Sequence, residues 1–220
     1  MNAEFDDFVK KVQSAARQTQ ERVVTYQRVL GGSTNTCYFA IQFNDWSDLD
    51  GWQTVPQMLV DVYGQSEATT LLAAGAGAMT LISTSASEVV PDFSSGRAAP
   101  ASNLPAYGQV IRTEVDPGLS AQYEHFLRRL KVAEDQAGVA NIRRVSRQGP
   151  ALTFTTVRLY ASHAERDRWA TPQQLLTDAF GENEARMLFA SQAEAVRTRE
   201  IYTLWMRPDL SRVPESTNNQ

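Results

Sequence analysis

A single cysteine, Cys37, stands in a chain of 220 residues, so an internal disulfide and any cysteine-rich metal site are excluded. Its alternating neighbourhood reads as a small, buried strand position. Histidine is nearly as scarce: His125 and His163 lie 38 residues apart without metal-ligand partners in spacing, so no metal site and no cofactor are expected. Positive charge is not in excess, with 21 Lys and Arg against 25 Asp and Glu, a net charge of -4 and a pI near 5.3. A nucleic-acid binder, which needs a basic face, is a poor fit. No apolar run approaches the roughly 18 to 20 residues that span a bilayer. The start, MNAEFDDFVKK, is acidic and amphipathic, unlike a secretory signal. The expected location is therefore cytoplasmic for the chain as it stands, or exported if a leader was removed upstream of Met1. GxSxG, HExxH and phosphate-loop patterns are missing as well. Gly75-Ala76-Gly77 lacks the third glycine of a dinucleotide fingerprint and reads as close helix packing, and Ser83, Ser85 and Ser87 have no base near in sequence.

What is present is a repeat. Trp52 to Ala68 (WQTVPQMLVDVYGQSEA) and Trp169 to Ala185 (WATPQQLLTDAFGENEA) share Trp52/Trp169, Thr54/Thr171, Leu59/Leu176, Asp61/Asp178, Gly64/Gly181, Glu67/Glu184 and Ala68/Ala185 at a spacing of 117. Pro91-Asp92-Phe93-Ser94 and Pro208-Asp209-Leu210-Ser211 keep that spacing, while Phe5, Phe8, Val9, Val12 and Ala15 face Tyr123, Phe126, Leu127, Leu130 and Ala133 at 118. A period above 100 is too long for a solenoid unit. With 42% hydrophobic residues, the chain has the material for two small, packed domains. Residues 1–94 and 107–211 are the expected units, 95–106 (Gly, Ala, Pro) a linker, and 212–220 a disordered tail.

Along the chain, residues 2–19 carry apolar side chains at helical spacing. Strands are expected at 21–30, bounded by Gly31-Gly32, and at 37–44, where alternation is clear. Residues 45–78 read as a helix broken near Tyr63-Gly64. Residues 81–90 read as a strand, though rich in Ser. The second half adds an opening strand at 107–115 and then follows with a helix at 119–137, strands at 140–148 and 152–161, a broken helix at 163–197 and a strand near 200–207. Its order is βαββαβ.

That order, twice over, resembles the dimeric α/β-barrel superfamily, and the Trp-to-Ala signature is similar to one in bacterial proteins. The resemblance implies an α+β fold of two ferredoxin-like repeats packed as an internal pseudo-dimeric barrel. It also implies a choice among functions: a small-molecule binder with a pocket in the barrel lumen, a cofactor-free monooxygenase-like enzyme, or an assembly or stress-response protein with a filled barrel. Haem-binding members exist, but neither histidine suits that role. The first repeat lacks its opening strand, leaving a slot in the sheet that another segment or chain could fill, so self-association is open.

Residues common to both copies, Trp52/Trp169, Asp61/Asp178 and Glu67/Glu184, are most economically read as serving the fold. Candidate ligand-binding residues come from positions that differ. Aligning Phe39, Ile41 and Phe43 with Val157, Leu159 and Ala161 as the helix-facing core puts Tyr38, Ala40 and Gln42 opposite Thr156, Arg158 and Tyr160 on the lumen face. Arg158 with Tyr160 is thus expected to anchor a small hydrophobic or anionic ligand, with Arg144 beside it and Tyr38, Gln42, Tyr202 and Trp205 as the wall. The alternative for Arg158 is a salt bridge to Glu88 or Glu114.

Overall fold

The computed structural model describes residues 3–19, 24–31, 35–40, 43, 46–51, 53–81, 83–96, 105–139, 143–148 and 152–211. Helices α1 (Ala3–Gln18), α2 (Val55–Ala78), α3 (Ser120–Gln136), α4 (His163–Arg166), α5 (Pro172–Phe180) and α6 (Glu182–Ala195) accompany seven strands. These are β1 (Val24–Leu30), β2 (Cys37–Ala40), β3 (Glu88–Val89), β4 (Tyr107–Val115), β5 (Arg143–Gln148), β6 (Thr153–Tyr160) and β7 (Val196–Met206). The fold is mixed α+β, with a curled antiparallel sheet in the order β2-β1-β7-β4-β6-β5-β3.

The amphipathic pattern of α1 buries Phe5, Phe8, Val9, Val12, Ala15 and Ala16, mostly against Met58, Leu59 and Ala68 of α2. On α3 the corresponding stripe, Tyr123, Phe126, Leu127, Leu130 and Ala133, joins Val145 and Phe154 of the sheet and Leu175, Leu176, Ala185 and Leu188 of α5 and α6. A third, smaller cluster lies on the sheet face without helices: Val110, Tyr202 and Leu204, with Tyr26, Tyr38 and Val157 packed on them. Two short 3-10 turns cross between the large cores. Pro91–Phe93 sends Phe93 into the core under α3, and Pro208–Leu210 sends Leu210 into the core of α1 and α2.

Residues 117 apart have the same local geometry. Thr54 and Thr171 are both N-caps closed into capping boxes by Gln57 and Gln174. Gly64 (φ 79°, ψ 162°) kinks α2, and Gly181 (φ 84°, ψ 161°) separates α5 from α6, the break expected from the glycine. Lys11 reaches Glu67 and lies 5.2 Å from the Tyr63 ring centre; Arg129 pairs with Glu184 and lies 3.5 Å from that of Phe180. The shared glutamates therefore fasten the second helical segment of each half to its first helix.

Three expectations change. Of the strand expected at 81–90, only Glu88–Val89 joins the sheet among the described residues, pairing with β5. The helix expected from 163 runs as α4, α5 and α6, interrupted at Asp167–Thr171 as well as at Gly181. Ser95, assigned to the linker by composition, is 3% exposed and bridges Arg143 through backbone bonds in both directions. Residues 97–104 and 212–220, and Trp52, lie outside the described residues.

Candidate functional site

Arg158 and Tyr160 face the helices, not the lumen. Phe154, on the same side of β6, is in the α3 core, whereas Val157 belongs to the cluster on the helix-free face. The first half agrees: the Phe5 and Phe39 rings are 6.4 Å apart, so Phe39 faces α1, and Tyr38 is on the other side with Tyr202. The expected assignment was one residue out of register. Both faces of β6 carry apolar residues, so alternation alone does not say which face meets the helices.

The turned-over face brings Arg158 to a carboxylate that is neither Glu88 nor Glu114. Glu134 of α3 is 1% exposed; its Oε1 accepts from Arg158 Nη2, and its Oε2 accepts from Arg143 Nε at 2.7 Å and from Ser95 Oγ at 2.5 Å. Arg143 and Arg158 are direct cross-strand partners in β5 and β6. Two buried guanidiniums thus share one carboxylate, leaving one formal positive charge in excess. Arg143 Nη1 and Nη2 are buried and have no hydrogen-bond partner. Burial lowers the pKa of the Arg158 guanidinium against the pull of Glu134, and the facing Arg143 lowers it further. Sequence reading missed Glu134 and Arg143. The signal was nonetheless present: Glu134 falls on the apolar stripe of α3 at a position where α1, 118 residues earlier, has the fully buried Ala16.

A cleft of about 320 Å3 opens beside this cluster, lined by Arg158, Val139, Leu175, Glu165 of α4, and Arg168, Trp169 and Ala170 just after it. Trp169 is half-buried; its ring meets Tyr160 edge-on at 5.4 Å and 89°, and Arg158 Cζ lies 5.8 Å from it. Glu165, whose Oε2 accepts from the Ala161 amide at 2.7 Å, and Arg168 also line the cleft. The cleft therefore offers an indole wall, an aliphatic floor, two guanidiniums and one carboxylate, a set suited to a flat organic anion.

The other expected residues do not join it. Tyr38 and Tyr202 stack at 5.6 Å and 9° on the helix-free face, where Arg28 Cζ is 4.3 Å from the Tyr202 ring centre and pairs with Glu200 at 2.7 Å. Burial pushes the Tyr202 phenol well above its ordinary value. Trp205 points to the opposite side of β7 from Leu204 and is 5.6 Å from Arg207 Cζ. Arg144 donates to the Ser95 carbonyl at 3.4 Å. Gln42 lies outside the described residues. His163 packs on Tyr107 at 4.6 Å, away from any acidic or histidine group suited to a metal, and no such group occurs among the described residues. Nor, among these residues, is any helix long and apolar enough to cross a membrane.

No family model and no curated protein matches the chain. Two solved structures do, both named "putative monooxygenase". One, from Lactobacillus acidophilus NCFM, is 11% identical with a TM-score of 0.50, covering 97% of this chain and 92% of that one. The other, from Fusobacterium nucleatum subsp. nucleatum, is 6% identical with a TM-score of 0.52, covering 94% and 87%. At such identities the likeness is one of fold: the whole described chain is similar to an α/β barrel-type architecture.

Proposed function

We propose that the chain is a small-molecule-binding protein that holds a small, flat organic anion in the Arg158–Trp169 cleft. The observation that carries this reading is the charge imbalance: Arg143 and Arg158 share Glu134 alone, and Arg158, 8% exposed, borders a cavity large enough for a one-ring ligand. A carboxylate arriving there would meet a guanidinium already desolvated and held in place, so little ordering cost remains.

The scaffold in this reading is a tandem duplication of two ferredoxin-like units, residues 1–94 and 107–211, closed on each other as a pseudo-dimer. The sheet order β7-β4-β6-β5 supports it for the second unit, and the matched capping boxes and glycine breaks support it for the pair. The two halves meet through β1 on β7 and β3 on β5.

Titration of the protein with aromatic monocarboxylates, led by benzoate and phenylacetate, tests the site. Charge-assisted contacts are worth about 1.5 to 3 kcal/mol, so Arg158→Met should weaken binding roughly 10- to 100-fold, and Trp169→Ala should weaken it too. No binding by any of these acids, or binding indifferent to Arg158→Met, would refute the assignment. Consumption of the acid with uptake of O2 would move the reading to the oxygenase chemistry in the names of the two similar structures.

A further inference from the structure

We infer, on the basis of that binding reading, that Arg143 is a positioning residue of the cleft: it takes over Glu134 when an anion arrives, so that Arg158 turns to the ligand without leaving a buried carboxylate unpaired. Glu134 and Arg143 are each 1% exposed. Arg143 uses only Nε on Glu134, at 2.7 Å from Oε2, while its Nη1 and Nη2 are buried and have no hydrogen-bond partner in the protein. Buried donors left in this way call for an explanation. A guanidinium grips a carboxylate best with two parallel N–H donors, one to each oxygen, and here the second oxygen is taken: Oε1 accepts from Arg158 Nη2. Arg143 thus holds half of a two-point contact and carries the donors for the other half.

Of these two arginines, Arg158 is the one that borders the cleft. While Arg158 is paired with Glu134, that carboxylate offsets part of its pull on an anion. An incoming ligand carboxylate competes for the Arg158 guanidinium, and the Oε1 it displaces falls to the free Nη donors of Arg143, the cross-strand partner of Arg158. Throughout the exchange Oε2 keeps Ser95 Oγ, at 2.5 Å, and Arg143 Nε. At its end each carboxylate, the protein's and the ligand's, has its own guanidinium, and no buried charge is left over. The exchange needs both arginines. With Arg143 gone, Arg158 and Glu134 form a balanced one-to-one pair, and an anion takes Arg158 only by stranding Glu134.

The probes are benzoate or phenylacetate, whichever the parent binds more tightly, and the matching neutral amide, titrated against the parent, Arg143→Met and the double variant Arg143→Met/Glu134→Gln. Affinity for the acid should fall roughly 10- to 100-fold in Arg143→Met, while that for the amide stays the same. The double variant, in which no carboxylate competes for Arg158, should recover the acid. Equal losses for acid and amide would mean that Arg143 only shapes the cleft, and an unaltered affinity for the acid that it plays no part; either overturns the inference. A crystal structure of the parent with the acid bound decides the matter without any variant. Glu134 Oε1 should then lie within hydrogen-bond reach of Arg143 Nη1 or Nη2 and be parted from Arg158. A Glu134 still held by Arg158 refutes the exchange alone, whereas a parent that binds neither acid refutes the cleft assignment and the exchange with it.

Discussion

Glu134 is the residue on which the second half turns. With Glu134 in place, removing Arg158 leaves a one-to-one buried pair with Arg143; removing Glu134 leaves two facing guanidiniums with no carboxylate. Breaking a buried pair by deleting one partner typically costs about 3 to 5 kcal/mol. Glu134→Ala is therefore expected to destabilise by about that amount or more, whereas Arg158→Met should leave the denaturation midpoint close to that of the parent. Urea melts of the two variants check this contrast, and equal losses would show that Arg158 serves stability rather than a ligand. The sequence carried a warning of Glu134 in the Ala16/Glu134 contrast, but the warning is only legible once both copies of the helix are aligned. It says that a charge is buried, not what it meets, since Arg143 and Ser95 arrive from other elements.

At the scale of elements, the repeated glycines are informative because sterics and backbone can be separated. A Cβ built on Gly64 or Gly181 meets nothing within 4 Å, so the effect of alanine there is purely conformational. Their φ near +80° with ψ near 160° is a region essentially reserved for glycine, costing about 1 to 3 kcal/mol for other residues. Gly64→Ala and Gly181→Ala should each lower stability by that amount, as thermal or urea melts would report; a neutral substitution would mean that the helices can run on through the break. These breaks and the order of elements were legible from local chemistry. The extent of strands was less so. Residues 81–90 have the composition of a weak strand, but pairing is decided by a neighbour, and sequence does not record which neighbour a segment will find. The face of β6 was illegible for a related reason, since a strand with apolar residues on both faces has no polar face to mark its outside.

For the whole molecule, Arg207 is the tie between ends. It is 6% exposed, donates to Asp6 of α1 at 2.9 Å and to Asp209 at 2.6 and 2.9 Å, and its amide reaches the Thr25 carbonyl of β1. Arg207 holds the Asp209 carboxyl below its ordinary value. A depressed carboxylate contributes stability that is present above its unfolded pKa, about 3.9, and lost as pH falls through the folded value. The gap in melting temperature between the parent and Asp209→Asn should thus be widest near pH 6 to 7 and close below about pH 4. A gap constant down to pH 3 would argue that the Arg207–Asp209 contact contributes no pH-linked stability.

The exchange of Phe93 and Leu210 between the two cores bears on how the chain is made. Leu210, 0% exposed, completes the packing of α1 and α2, and the Thr25 hydroxyl donates to its carbonyl at 2.7 Å. During synthesis from the N-terminus, the first half therefore emerges without a piece of its own interior and cannot close until the Pro208–Leu210 turn, which follows the whole of the second half, has been made. The second half borrows Phe93, which is made before α3, and waits only for its own β7 (Val196–Met206). The apolar helices α1 and α2, although made first, should therefore stay open through the synthesis of the second half, in need of protection until the Pro208–Leu210 turn docks.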